Sequence, residues 1–485
     1  MVFNTSLFLL YFLPALLIIY FMIDKKFRNL LILVASLFFY AWGAPVFVFW
    51  ITASVLADFM ILRMLVREEG SMRRLLFWLS VVLNLGLLLY FKYMNFFVDQ
   101  TDIILGWFGS KPLKWVQILM PLGISFITFQ KLAYTFDVSR KNSEPFRKLQ
   151  DYALYIFMFP QILSGPIVRP GQIASQITDR SSQETLDDRL VGFYRLFIGL
   201  AKKVLIADVL ALQVNQIFAL SPLHLSSSLA WIGAIAYTFQ IYFDFSGYSD
   251  MAIGLARILG FRLPENFNNP YISKSITEFW KRWHITLSLW FRDYVFLRIA
   301  YPLSRKFKKE KYAGIRMDKI VYLIATSITF LLVGFWHGAA WTFILWGAYQ
   351  GVFLIFDRLF LLKLFKKIGK IPSQVITFFT LMIGWVLFRS NDLDYFHFYL
   401  RRMFSFVHAE NEVWLNPKFW TMLVIALLFS FWGGFKKIET WQEKIYGKPG
   451  NAYLISLSIL GILLFILSEA TITSIGFSPF IYFRF

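Results

Sequence analysis

The feature that most limits how this chain can fold is a series of apolar runs close to the length of a membrane crossing. A helix needs about 20 residues to traverse roughly 30 Å of hydrocarbon. Such runs occupy residues 7–22, 30–41, 46–65, 75–91, 152–166, 190–212, 229–242, 320–336, 341–356, 375–388, 419–432 and 453–467. Read as helices they make roughly a dozen crossings, several too short for a simple span. Bare backbone polar groups are not tolerated against lipid, so the short runs are expected to be tilted or re-entrant helices packed in protein. The fold class this predicts is all-α and polytopic, with no room for a sizeable soluble domain.

Composition agrees. Hydrophobic residues make up 58% of the chain and charged residues 16%, outside the range of soluble domains. The 20% aromatic content suits lipid contact and interfacial belts. No basic segment precedes the first apolar run, and Asp24-Lys25-Lys26-Phe27-Arg28 follows it where a small-residue cleavage site would stand. That run is therefore expected to stay as an anchor. There is no cysteine, which removes disulfides, thiolate nucleophiles and cysteine metal sites.

A net charge of +20 would suggest nucleic acid in a soluble protein. Here the basic pairs Lys25-Lys26, Arg73-Arg74, Arg140-Lys141, Lys202-Lys203 and Lys436-Lys437 fall where helix ends are expected. That is the positive-inside pattern, with Met1 outside and the loops at 25, 73 and 140 in the cytoplasm. Membrane lipids, with anionic headgroups, are a sufficient partner for this charge, and no nucleic acid is implied.

Residues 271–319 are too polar to span. Within them 276–297 reads as an amphipathic helix: Phe279, Trp280, Trp283, Leu287 and Phe291 on one side, Glu278, Lys281, Arg282, Ser288 and Arg292 on the other. Such a helix lies in the interface or re-enters it. The strongest basic run follows, Arg305-Lys306-Phe307-Lys308-Lys309-Glu310-Lys311, and then an apolar run leads to Gly334-Phe335-Trp336-His337-Gly338.

His337 is the leading candidate for chemistry, because an ionisable group inside a span is expensive to keep there. A neutral imidazole can take a proton from a hydroxyl near pH 7. The bland alternative is a hydrogen-bonded packing histidine. Gly334 and Gly338 leave space for a substrate or another backbone to come close. His284 is second: on a helix it shares a side with Trp280 and Leu287 and points inward. His224, His397 and His408 lie in or near expected loops and read as structural or solvated. Neither His-Glu-x-x-His nor a close carboxylate accompanies His337, so the expectation is no metal.

Residues 240–250 hold Gln240, Asp244, Ser246, Tyr248, Ser249 and Asp250 directly after an apolar run. Buried there they need partners, as a cavity lining or a bonded helix break; a capped surface turn is the alternative. Ser164-Gly165-Pro166, followed by Arg169, breaks another run. Ser246-Gly247 lacks the Gly-x-Ser-x-Gly pattern of a nucleophile elbow, and there is no phosphate loop. The last residues, Phe480-Ile481-Tyr482-Phe483-Arg484-Phe485, are too aromatic for a frayed end and read as docked into the protein. Tyr482 is the hydroxyl there, a phenol that attacks only if a base takes its proton.

Three segments together carry a resemblance: 240–257, 265–284 (from Glu265-Asn266-Phe267-Asn268-Asn269-Pro270 to Trp280-Lys281-Arg282-Trp283-His284), and Phe335-Trp336-His337-Gly338. They closely resemble the membrane-bound O-acyltransferases, and within them the bacterial AlgI-like and PatA-like proteins of alginate and peptidoglycan O-acetylation. The likeness runs from Met1-Val2-Phe3 to the aromatic tail. It implies a ring of tilted and re-entrant helices around a central tunnel, in one domain over 1–485. Its parts would be N-terminal helices 1–150, a catalytic core 151–360 including the interfacial helix 276–297, C-terminal helices 361–479 and the tail 480–485. It implies His337 as the essential catalytic residue, His284 as the second polar residue, and Trp336, Trp283, Asp244, Ser246, Asp250 and Asn266 about the tunnel. Phe480, Tyr482 and Phe485 resemble the tail that related D-alanyl export systems carry on a separate small protein, which makes Tyr482 a candidate transient acyl carrier.

The expected activity is acetyl transfer from a cytoplasmic thioester, with no tightly bound cofactor, across a bacterial cytoplasmic (inner) membrane. Arg305, Lys306, Lys308, Lys309 and Lys311 would dock the donor, either coenzyme A phosphates or the acidic face of an acyl carrier protein. Plain positive-inside charge is the alternative for that patch. An extracytoplasmic transferase of the SGNH type would pass the group to polysaccharide. A D-alanyl transferase for teichoic acid and a transporter without chemistry are the rival readings.

Overall fold

The computed structural model describes the chain except for residues 308–309, 313, 410–412, 436, 439, 441–449, 477–478 and 481–485. Among the described residues the architecture is all-α. The one β element is a two-residue antiparallel hairpin in the basic segment, Lys311 opposite Arg316 and Tyr312 opposite Ile315, turning at Gly314 with φ 78°.

Seven described helices are long and apolar enough to cross a membrane: Phe47–Arg67, Gly70–Trp107, Met317–His337, Trp341–Ile368, Lys370–Arg389, Pro417–Gly434 and Ala452–Ser474. Leu7–Met22 is apolar but shorter. The apolar runs thus divide into these long helices and a set of shorter or more buried ones, as their uneven lengths lead one to expect. The run at 30–41 is a 16-residue helix, Arg28–Gly43. The run at 152–166 breaks, as expected, into Leu149–Phe157 and Phe159–Ile162, with Gly165 folded back onto Gln161. The run at 190–212 is shared by helix Leu186–Ala201, the π-helical turn Lys202–Ala207 and helix Asp208–Phe218, and that at 229–242 lies in Ser227–Ile258; many of their side chains are buried by protein.

The chain forms two compact units, Met1–Arg189 with Leu255–Pro264, and Leu190–Gly254 with Glu265–Phe485. In the first, several polar groups buried among apolar helices bond one another, which offsets the cost of burying them. Asp58 accepts hydrogen bonds from Ser80 Oγ at 2.6 Å, Asn84 Nδ2 at 3.0 Å and the Tyr152 hydroxyl at 2.5 Å. Lys131 Nζ donates to the carbonyl and hydroxyl of Ser54 at 3.1 and 3.2 Å.

In the second unit, two helices meet on glycine. A Cβ on Gly199 would lie 2.6 Å from the Gly247 carbonyl oxygen, and one on Gly254 2.6 Å from the backbone nitrogen of Leu196. Small residues are what let buried helices approach this closely. The polar stretch 240–250 lies inside the unbroken helix Ser227–Ile258, so neither a helix break nor a surface turn forms there.

The expected amphipathic helix 276–297 is also revised. Its first turn, Ile276–Phe279, is capped by Ser275, whose Oγ accepts from the Glu278 backbone N–H. The chain then turns, with His284 left-handed at φ 43°, and resumes as Ile285–Phe291 and a π-helical turn, Arg292–Phe296. Trp280, Trp283, Leu287 and Phe291 are buried in protein.

Candidate active site

His337 is delivered by a helical hairpin. Helix Met317–His337 ends where Gly338 becomes extended (φ −167°, ψ 155°), and the chain returns as Trp341–Phe356. The anticipated close approach at Gly334 is by backbone: its Cβ would fall 2.3 Å from the Phe343 carbonyl oxygen and 3.0 Å from Gly347 Cα. Gly338 is covered by the Phe343 ring. His337 is 4% exposed, with ring centroids 4.8 Å from Trp336, 4.9 Å from Trp346 and 5.3 Å from Phe388.

His284 is fully buried and reaches the same place from a different element. Its imidazole centroid is 6.1 Å from that of Trp336 and stands edge-on to Phe245 at 4.7 Å. Trp336 thus contacts both histidines. Asn266 builds the turn that holds His284: its carbonyl accepts from Ile285 N–H at 2.9 Å, and its side-chain Oδ1 from Thr286 N–H and Oγ1.

Phe245 also contacts the tail. Phe480 is fully buried, stacked on Tyr248 (4.6 Å, 21°) and 5.6 Å from Phe245, so the docked tail expected from its aromatic content is present at this residue. Lys203 Nζ donates to the preceding Pro479 carbonyl at 3.4 Å. Tyr482 and Phe485 lie outside the described residues.

The acidic groups of 240–250 are ion-paired. Asp244 sits 2.5 Å from Lys203, which also bonds Asp208 at 2.7 Å. Asp250 is held by Arg195 at 2.9 Å and Lys202 at 2.6 Å, and Arg195 extends to Glu265. Ser246 Oγ is buried and finds no hydrogen-bond partner among the described residues. Trp283 stacks on Phe279 and packs against Trp385, within an aromatic cluster that also reaches Phe245. Arg305 and Lys306 end helix Leu297–Lys306 and are exposed, as is Lys311; Lys308 and Lys309 lie outside the described residues.

Sequence reasoning missed several participants. Lys202 and Lys203, which the basic-pair pattern places at a helix end, sit in the π-helical turn Lys202–Ala207, with Lys203 buried. A signal existed: the sequence stays apolar directly after them, Val204-Leu205-Ile206-Ala207, where a helix end would be followed by loop residues. Trp346 and Phe388 had none, since aromatics at helical spacing are ordinary core residues. His224 is in a turn, its Nδ1 2.9 Å from Ser221 Oγ, and His397 and His408 are exposed.

Two buried histidines thus gather about one tryptophan, beside a buried aromatic residue of the tail. Residues 122–391 match the model of the membrane-bound O-acyltransferase family. Over the full length of both chains the protein is 38% identical to the probable alginate O-acetylase AlgI of Azotobacter vinelandii. It is 33% identical to the peptidoglycan O-acetyltransferase of Helicobacter pylori, over 81% of this chain and 78% of that one. It is also 33% identical to the teichoic acid D-alanyltransferase of Bacillus subtilis, over 57% and 70%. The chain belongs to the membrane-bound O-acyltransferase family. It is a multi-pass membrane O-acyltransferase.

Proposed function

We propose that this enzyme moves an acetyl group from a cytoplasmic thioester to the outer face of a bacterial cytoplasmic membrane, for O-acetylation of an extracytoplasmic polysaccharide of the alginate or peptidoglycan kind. The observation that carries the reading is the placement of His337 and His284 about Trp336, with Phe245 linking His284 to the docked tail. The acetylase names of the two relatives matched over most of both chains support acetyl as the group.

In this reading His337 is the general base, which typically contributes roughly 10²–10⁴-fold. The Tyr482 hydroxyl gives its proton to the imidazole as its oxygen bonds to the thioester carbonyl carbon. The C–S bond breaks, and the departing thiolate takes the proton, leaving an acetyl-tyrosine ester and a free thiol. The donor is acetyl-coenzyme A or an acetylated carrier protein, docked on the exposed Arg305, Lys306 and Lys311 with Lys308 and Lys309. An SGNH-type transferase outside the membrane passes the acetyl group to the glycan.

The test incubates purified protein in nanodiscs with radiolabelled acetyl-coenzyme A or acetyl-carrier protein and counts label retained on the chain. Wild type should be labelled, and His337→Ala and Tyr482→Phe should not. Label surviving Tyr482→Phe moves the carrier elsewhere. Labelling by a D-alanyl donor alone favours the teichoic acid reading, and substrate flux that survives His337→Ala favours a transporter.

A further inference from the structure

We infer that Asn266 is a positioning residue that keeps neutral His284 protonated on Nδ1, so that His284 serves the site as a hydrogen-bond acceptor through Nε2 and not as an oxyanion donor. The argument begins with the orientation of the Asn266 amide, fully buried at the base of the His284 turn. Its Oδ1 lies 3.2 Å from the backbone nitrogen of Thr286 and 2.9 Å from Thr286 Oγ1, and its Nδ2 is 3.2 Å from Ser249 Oγ. A backbone N–H can only donate. Flipping the amide would set its NH₂ against that N–H, donor facing donor, so the oxygen is identified by its partner.

The same Oδ1 is 3.1 Å from His284 Nδ1. An amide oxygen has no proton to give, so Nδ1 must carry the hydrogen of this bond. A neutral imidazole has one N–H, and Nε2 is therefore the nitrogen with the lone pair. The backbone ties the two residues further, since Ile285 N–H donates to the Asn266 carbonyl at 2.9 Å while His284 is held at φ 43°. The imidazole is itself fully buried between Phe245 and Trp336, which leaves it little freedom to swing its other nitrogen round. On the acyl-transfer reading, the oxyanion hydrogen bonds then fall to other groups, such as the indole N–H of a neighbouring tryptophan.

The test is nitrogen NMR on protein labelled with ¹⁵N-histidine in nanodiscs at pH 7, with His284 assigned by comparison with His284→Gln. The expected wild-type spectrum has Nδ1 protonated and Nε2 bare. Asn266→Asp keeps an acceptor oxygen and should keep Nδ1 protonated, while its charge makes Nε2 easier to protonate than in the wild type. Asn266→Leu should shift population to the Nε2–H form and cost about 10- to 100-fold in rate, as when the outer partner of a ligating histidine is lost. A wild-type Nε2–H tautomer or imidazolium overturns the inference, as does an unchanged His284 spectrum in Asn266→Leu. If that variant does not fold, the wild-type and Asn266→Asp spectra still decide. Failure of the wild type to transfer from any donor would sink the acyl-transfer reading but leave the tautomer to be read.

Discussion

Gly334 and Gly347 face each other across the hairpin that ends at His337: a Cβ on Gly347 would lie 2.8 Å from the Cα of Gly334 and 2.2 Å from the Phe330 carbonyl oxygen. Two helices can run this close only where neither carries a side chain. The pair therefore sets the height and rotation of the turn from which the His337 ring projects, three residues beyond Gly334.

Gly347→Ala should force the hairpin apart. Overpacking of this kind costs about 1–3 kcal/mol. The expected outcome is a lower melting temperature in detergent, followed by tryptophan fluorescence, and transfer reduced about tenfold or more as His337 moves off its partners. Gly86→Ala is the control, because nothing lies within 4 Å of its added Cβ. It should leave transfer unchanged and raise stability slightly, by the usual helix preference for alanine.

Lys203 is the most consequential residue that its sequence context hid. Breaking a buried ion pair by removing one partner costs about 3–5 kcal/mol, since the other charge is left uncompensated. Lys203→Met strands both Asp244 and Asp208 and should unfold the protein at a markedly lower temperature. Adding Asp244→Asn should recover part of the loss. Equal melting of the single and double variants would show that the pair is not coupled as the geometry says.

These cases also mark what could be read in advance. The burial of His337 was legible because histidine in an apolar run costs energy that only a purpose or a partner explains, and neighbouring glycines announce close packing. The burial of Phe480 was legible because a run of aromatic residues is costly to leave in water. Which runs become long lipid-facing helices was not, since an apolar run says only that water is excluded; whether lipid or protein surrounds it depends on elements far along the chain. The helix expected over 276–297 failed for the same reason: the groups that bond the turn at His284 belong to Asn266, in a preceding loop. Lys203 looked like a topology signal because its partner Asp244 lies on another helix.

Acid should weaken the contact around Glu184, which lies outside the spans. Burial alone would raise its carboxyl, but hydrogen bonds from Tyr20 at 2.9 Å and Arg28 at 2.5 Å, with the charges of Arg28 and Arg180, hold it below the ordinary glutamate value. A carboxyl depressed in the folded state contributes stability above its unfolded value, about pH 4.3, and loses it as pH falls through the folded value. Wild type should therefore lose melting temperature more steeply below that pH than Glu184→Gln, which starts lower at pH 7. Parallel curves would mean that Glu184 does not titrate differently on folding.

The absence of native cysteine makes the seating of the tail directly measurable. Phe480 is enclosed by Tyr248 and Phe245, while Lys203 holds the carbonyl just before it. In a Phe480→Cys variant the single thiol should react slowly with a water-soluble maleimide, because the reagent must wait for the tail to leave its socket. Adding Lys203→Arg, which keeps a donor and a charge, should change that rate little. Adding Tyr248→Ala takes away the wall of the socket that faces position 480, without touching the ion pairs, and should speed labelling several-fold. Fast labelling of the Phe480→Cys single variant is the outcome that counts against the seat itself. It would have to be read beside a Ser474→Cys reference on the exposed end of helix Asn451–Ile475, which should label at once in either case.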